Sequence, residues 1–332
     1  MELFIIAEAG INHNGDIALA KELIKVAKLA GANAVKFQAA IPNLVCTNKS
    51  RLAEYQKNNN SETQLDLLSK LHLPLESYKE LNKYAIDLGI EFICSAFDNL
   101  SLDYINNLGV KYHKIASGEI THYPFLRQIA SYNKPTIVST GMATLKEIEE
   151  CLNVLTKNGL EKKNIILMHC TTDYPTDFKA VNLNAIKTIS KNFHYPVGYS
   201  DHTIGNEVSI AALGMGCNYF EKHFTLDKNL IGPDHKASLS IEELNIYVDS
   251  LKKIHTSLGN GIKEPSNNEI TNKQIVRRSI VAKVGIKKGD ILTEKNLVCK
   301  RPGDGINPMK WNQVIGKKAI KDFDIDEFII FS

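Results

Sequence analysis

His202 in the stretch VGYSDHT and His223 in the stretch NYFEKHFT each follow a short apolar run that reads as a β-strand. If those strands lie side by side in a barrel, both imidazoles project from one rim. A pair of neutral imidazoles suits Zn, Mn, Fe or Co, and the positions it leaves open can polarise a substrate oxygen. The alternative for a single histidine is a local hydrogen bond. Asp201 beside His202, Glu221 near His223 and Asp234 just downstream favour a site, because carboxylates orient or complete an imidazole-bound metal.

Other polar residues stand at or just past the ends of β-rich runs: Glu8, Lys36, Gln38, Ser95, Lys114, Ser117, Glu119, Thr140, His169, Ser200 and Glu221. A single serine there is often only a turn or cap device. The lysines say more, since an ammonium at the mouth of a water-restricted barrel acts as a point charge for phosphate or carboxylate.

The elements that must position these groups alternate from residue 3 to about 256. Strands are expected at 3–8, 34–38, 91–95, 112–116, 136–140, 164–169, 197–200 and 219–224, with segments of helical period between them. The first helix sets the pattern, with Asp16 as N-cap and Leu19, Leu23, Val26, Ala27 and Ala30 on one face. Eight such pairs make a (β/α)₈ TIM barrel or an open doubly wound sheet. The barrel is favoured because Asn12, His13, Asn14 and Gly15 follow the first strand where a GxGxxG would stand.

The 332 residues suit a barrel of roughly 250 residues with a modest appendage. Forty basic against 37 acidic residues give a net charge of +3, which offers no reason to expect nucleic acid as a partner. Six cysteines without CxxC spacing fit reduced thiols, and the apolar start MELFIIAEAG is too short to span a bilayer and lacks a basic flank. The expectation is a soluble, cytoplasmic protein with no membrane partner. The barrel is expected over 1–260 and a linker over 261–275, from the Gly, Asn, Pro and charge content of GNGIKEPSNNE. A small domain follows over 276–332, with short strand-like runs broken by KKGD and RPGDG turns. Alone it is marginal by its surface-to-volume ratio, so it is expected to lean on a partner.

The motifs AEAGINHNG, VKFQ, KIASGE, STGM, HCTTDYPT, GYSDHT, EKHFTLD, GPDHKAS and KRPGDGI together closely resemble the sialic acid synthase family. Its members are transferases that join phosphoenolpyruvate to an N-acetylated amino sugar through a new carbon–carbon bond. The resemblance covers nearly the whole chain. It implies a TIM barrel followed by an antifreeze-like (SAF) domain, in a domain-swapped homodimer. It also implies that His202 and His223 ligate a divalent ion, Mn²⁺ or else Mg²⁺ or Co²⁺. Lys36, Lys114, Ser117 and Ser200 would hold phosphoenolpyruvate, with Ser95 nearby. Gln38, Glu119, Tyr174 and Asp234 would line the amino-sugar pocket, Glu8 would lie on the floor near metal and water, and Arg301 would reach the sugar N-acetyl group from the partner. Without the resemblance, Arg301 reads as a surface charge flanking a turn.

Three positions depart from the family pattern: Thr172 where some members carry Asn, Asp177 where proline is common, and Ala96 where proline is common. The first expectation for the sugar is N-acetylmannosamine, giving N-acetylneuraminate. The 2,4-diacetamido-2,4,6-trideoxy sugars that lead to legionaminic or pseudaminic acid are the alternatives, since the AEYQK segment at 53–57 and GPDHKAS resemble synthases for both N-acetylneuraminate and legionaminate. Phosphoenolpyruvate synthases of seven- or eight-carbon keto acids lack the KRPGDG module. A noncatalytic carbohydrate- or ice-binding protein would need neither the lysines nor the paired histidines.

Overall fold

The computed structural model describes residues 2–53, 56, 61 and 63–330; of the AEYQK segment, Glu54, Tyr55 and Lys57 lie outside them. The chain divides into two compact units, Met1–Gly259 and Asn260–Ser332. In the first, eight parallel strands close into a barrel: β1 (Phe4–Gly10), β2 (Ala34–Ala39), β3 (Glu91–Ala96), β4 (His113–Ile115), β5 (Thr136–Ser139), β6 (Ile165–Cys170), β7 (Val197–Asp201) and β8 (Tyr219–His223). β8 pairs back onto β1, with Glu8 in register with His223 on one side and Lys36 on the other.

The two-residue period of a strand explains how the chain builds both a core and a site. Ile5, Ala7, Val35, Phe37, Phe92, Val138, Leu167, Tyr199 and Phe220 face the surrounding helices. The alternate residues Phe4, Ile6, Ala34, Ile93, Tyr112, Ile137, Met168 and Tyr219 fill the barrel interior. Each buried aliphatic or aromatic side chain stabilises the fold by about 1.5–3 kcal/mol relative to leaving it in water. Two residues further along each strand the interior changes character, to Glu8, Lys36, Ser95, Lys114, Ser139, Cys170, Ser200 and Glu221. Gly198 is the interior residue of β7, and a Cβ there would lie 2.5 Å from the Tyr219 carbonyl oxygen and 2.7 Å from its Cβ, so β8 leaves no room for a side chain at 198.

The crossover helices are Ile17–Leu29, Ser77–Leu88, Asn99–Asn107, Tyr123–Ser131, Leu145–Lys157, Asn184–Phe193, Glu207–Gly214 and Ile241–Ser257. Asp16 caps the first, accepting from the backbone N–H groups of Ala18 and Leu19, and Leu23, Val26 and Ala27 are buried on its inner face. Between β2 and the second crossover helix the chain makes an excursion with short helices at Pro42–Val45 and Gln64–Leu71, which strand periodicity did not foretell.

In the second unit, β9 (Ser279–Ala282) and β10 (Leu297–Lys300) pair antiparallel beside a core of Ile280, Ile286, Leu292, Leu297, Val314, Phe323 and Ile329. The segment expected as a linker over 261–275 is not structureless. It carries the helix Asn267–Val276, started by a capping box in which Ser266 and Glu269 satisfy each other's backbone N–H groups. All six cysteines are free. Among the described residues no helix is long and apolar enough to cross a membrane.

Candidate active site

The C-terminal ends of the strands open into a cavity of about 460 Å³. At its base lies a charge cluster. Lys36 Nζ is 2.9 Å from Glu8 Oε2 and 3.7 Å from Glu221 Oε2, and Lys114 Nζ is 3.1 Å from Glu221 Oε1. Hydroxyls complete the lysines: Lys36 donates to Ser95 Oγ at 3.1 Å and Lys114 to Ser139 Oγ at 2.7 Å. Ser200 Oγ donates to Glu221 at 2.9 Å, and Gln38 Nε2 donates to Glu8 Oε1 at 3.0 Å.

All four charges are buried, and the pairs decide their ionisation. Burial drives Glu221 up, but Lys114 and Lys36 outweigh it and hold this carboxylate down at about 2. Burial drives Lys36 down, yet Glu221 and Glu8 leave it above its ordinary value. Lys114 is lowered by burial against the opposing pull of Glu221, and Glu8 is raised by burial against Lys36. The base of the cavity thus sets two buried lysines against two buried carboxylates.

His202 and His223 stand above this cluster with ring centroids 5.6 Å apart. His202 Nδ1 lies 2.6 Å from the Thr171 carbonyl oxygen, to which it donates, so Nε2 carries the lone pair. His223 Nδ1 is buried without a hydrogen-bond partner and lies 3.9 Å from Asp234 Oδ2. Burial lowers His202 to about 4, and burial together with the neighbouring His202 lowers His223 well below the usual imidazole range, so both rings are neutral at neutral pH. Tyr174 packs against both, 4.2 Å from the His202 centroid and edge-on to His223 at 5.7 Å.

Among the described residues no group of three or more His, Cys, Asp or Glu is arranged as a complete metal cage. Two neutral imidazoles, one with an orphaned buried nitrogen, form a partial donor set of the kind that leaves coordination positions open. That chemistry fits a divalent ion shared with a substrate. Asp234, raised to about 7 by burial and then by the Glu8 carboxylate, is poised to hold or release a proton beside them.

The expected residues fall as follows. Glu8, Lys36, Gln38, Lys114, Ser117, Glu119, Tyr174, Ser200, His202, His223 and Asp234 all line this cavity. Ser95 lies just behind Lys36. Ser117 Oγ accepts from the Gly141 backbone N–H at 3.1 Å, and Glu119 meets His122 Nδ1 at 2.8 Å. Gly10 has a φ of +55°, and a Cβ there would crowd Gln38, Glu8 and His223 at 3.3 Å each. Arg301 belongs to the second unit, exposed at the end of β10.

Three sequence readings need correction. Asp201 does not orient His202, because it faces the opposite side of the strand and pairs there with Lys222 at 2.9 Å. Thr140 and His169 point out of the barrel, Thr140 donating to the Met168 carbonyl and His169 Nε2 meeting that of Val181. The strand-5 contribution comes instead from Ser139, which sequence reading passed over although it stands two residues after the interior Ile137. Among the departures, Thr172 lines the cavity. Asp177 caps a short turn by accepting from Lys179 N at 2.8 Å, and Ala96 ends β3, buried on its outer face.

A model described as the NeuB family matches residues 23–263, and one described as the SAF domain matches residues 277–331. An N,N'-diacetyllegionaminic acid synthase of Campylobacter jejuni is 50% identical over 327 residues, covering 98% of each chain. One of Legionella pneumophila is 45% identical over 323 residues, covering 96% of this chain and 90% of that one. The crystal structure of the N-acetylneuraminic acid synthetase of Leptospira borgpetersenii, in complex with citrate, superposes with a TM-score of 0.72 at 33% identity, covering 82% of this chain and 90% of that one. The chain belongs to the NeuB family, which bears out the resemblance to sialic acid synthases carried by its motifs.

Proposed function

We propose that this protein is a nonulosonic acid synthase that condenses phosphoenolpyruvate, an N-acetylated amino sugar and water into a nine-carbon 2-keto acid and phosphate. The observation that carries the reading is the juxtaposition, in one cavity, of two buried lysines with serine hydroxyls and two neutral imidazoles beside a protonatable Asp234. Lys36, Lys114, Ser117 and Ser200 receive the phosphate and carboxylate of phosphoenolpyruvate. The sugar, in its open aldehyde form, lies toward Gln38, Glu119, Tyr174 and Asp234. His202 and His223 would hold a divalent ion, Mn²⁺ being the first choice, which would supply polarisation of the aldehyde carbonyl.

The C2=C3 electron pair of phosphoenolpyruvate forms the new bond to the aldehyde carbon, whose oxygen takes a proton. Asp234 is placed to give that proton. Water adds to the cationic C2 and loses a proton to Glu8 or Asp234. The tetrahedral centre then collapses to the ketone by breaking the C2–O bond to phosphate, its hydroxyl proton leaving with the departing phosphate. The buried ammonium groups stabilise the phosphate and carboxylate charge throughout without solvent reorganisation.

For the sugar we propose 2,4-diacetamido-2,4,6-trideoxymannose, supported by the two relatives named as N,N'-diacetyllegionaminic acid synthases at 50% and 45% identity. N-acetylmannosamine, the first expectation from sequence, is the second reading, supported by the likeness to the N-acetylneuraminic acid synthetase at 33% identity. In the same reading Arg301 completes the sugar pocket of a second copy in a homodimer. The test is to incubate the purified protein with phosphoenolpyruvate and Mn²⁺ against N-acetylmannosamine, its 6-phosphate and the 2,4-diacetamido sugars, weighing the products by mass spectrometry. A nine-carbon acid formed one-for-one with phosphate is expected; no product with any of these sugars overturns the synthase reading.

A further inference from the structure

Each imidazole of the candidate metal site is preceded by a residue that faces the other side of its strand: Asp201 before His202 and Lys222 before His223. Asp201 and Lys222 are register partners in the β7–β8 ladder. Their side chains form an ion pair of 2.9 Å, with only 0% and 1% of their surfaces exposed. The pair sits in the layer between barrel and helices, among Tyr199, Phe220 and Tyr247.

Further bonds of the pair tie down neighbouring segments. Asp201 Oδ1 accepts from the backbone N–H and hydroxyl of Thr203 at 2.9 and 2.7 Å, folding back the loop that follows His202. Its Oδ2 accepts from Ser209 at 2.7 Å, and Ser209 Oγ lies 3.0 Å from the Tyr247 hydroxyl. Lys222 donates to the Thr203 carbonyl at 2.7 Å. A buried ion pair contributes little stability relative to well-packed apolar residues, so its presence here calls for a geometric explanation.

We propose that the Asp201–Lys222 pair is a positioning device for the metal site: by locking β7 to β8 on their outer face, it sets the separation of His202 and His223 on the inner one. His202 has a second anchor at Thr171, but His223 Nδ1 has no hydrogen-bond partner, so its placement depends on β8 itself. Lys222 is therefore the more critical partner. The inference rests on the reading of His202 and His223 as ligands of a divalent ion.

The test measures Mn²⁺ binding to the metal-free full-length protein from the electron paramagnetic resonance signal of free Mn²⁺, with no turnover required. Phosphoenolpyruvate binding without metal is followed in parallel by calorimetry. Asp201→Asn and Lys222→Met are expected to weaken Mn²⁺ binding about 10-fold, the low end of the loss for a group bonded directly to a metal ligand, with phosphoenolpyruvate affinity unchanged. Ser209→Ala is expected to show a smaller loss of the same kind. The double variant Asp201→Leu with Lys222→Met leaves neither charge unpaired, and with its fold checked by circular dichroism it too is expected to bind Mn²⁺ weakly. Mn²⁺ affinity equal to wild type in these variants, or Mn²⁺ and phosphoenolpyruvate affinities falling together, overturns the positioning role. Absence of Mn²⁺ binding in the wild type, with phosphoenolpyruvate still bound, overturns the ligand reading beneath it.

Discussion

Replacing Glu221 with glutamine removes the carboxylate that Lys36 and Lys114 share while keeping its shape. At 3.1 and 3.7 Å, and with an effective dielectric of about 20, each contact is worth about 5 kcal/mol of attraction before desolvation is counted. Glu8 still faces Lys36 at 2.9 Å, but Lys114 keeps only Ser139 and the amide oxygen. Removing one partner of a buried pair costs about 3–5 kcal/mol. At about 2–4 °C per kcal/mol, the ligand-free Glu221→Gln protein should melt about 6–20 °C below wild type. The same charge change makes the cavity more receptive to an anion, because phosphoenolpyruvate no longer competes with a carboxylate ionised down to about pH 2. Differential scanning fluorimetry with and without phosphoenolpyruvate reads both effects. The variant should start lower and gain more from the ligand than wild type does. An unchanged melting temperature without ligand, or a ligand-induced gain no larger than wild type's, would refute the view that Glu221 holds the lysines in reserve.

Three further outcomes follow from the same geometry. His202→Ala and His223→Ala should each abolish turnover while circular dichroism stays that of wild type; near-native activity in both would remove the metal role. Arg301→Ala should raise the KM for the sugar far more than that for phosphoenolpyruvate, whereas equal effects on both would count against a terminal unit that reaches a partner's sugar pocket. Stability should fall steeply in acid. Burial lowers His13 to about 3, and His72, His113, His202 and His235 to about 4, so between pH 6.5 and 4 the unfolded chain binds at least five protons that the folded chain does not. Asp234, raised to about 7, has the opposite sign and offsets one of them. The net of at least four protons makes stability fall by up to about 5 kcal/mol for each unit the pH drops through this window, and remain in place above it. Urea midpoints at pH 7 and pH 5 check this, and equal midpoints would contradict it.

Much of the site was legible because a barrel strand writes its interior face in every second residue. Ile6 and Glu8, Ala34 and Lys36, and Ile93 and Ser95 show apolar floor and polar mouth in the same register, and all eight strands could be counted as β-rich runs separated by segments of helical period. The errors share one cause. Asp201, Thr140 and His169 were read as site residues because they adjoin strand ends, but adjacency in a strand places neighbours on opposite faces. Counting by two from Ile137 would have chosen Ser139. The helix Asn267–Val276 was hidden by composition, although Ser266 and Glu269 already spelled a capping box. The pocket-side contribution of Val45, Gln64 and Leu68 was not legible, because the short helices that carry them lie outside the strand-and-crossover pattern and the period of Gln64–Leu71 marks only its buried Leu67 and Leu71.

The most direct test is the initial rate of phosphate release from phosphoenolpyruvate by the Mn²⁺-loaded protein, with and without 2,4-diacetamido-2,4,6-trideoxymannose. The lysine, imidazole and Asp234 arrangement predicts release that requires a sugar, and the sugar proposed from the relatives predicts that it is faster with this one than with N-acetylmannosamine. Release at the same rate with no sugar present, or no release with any N-acetylated amino sugar, would contradict it.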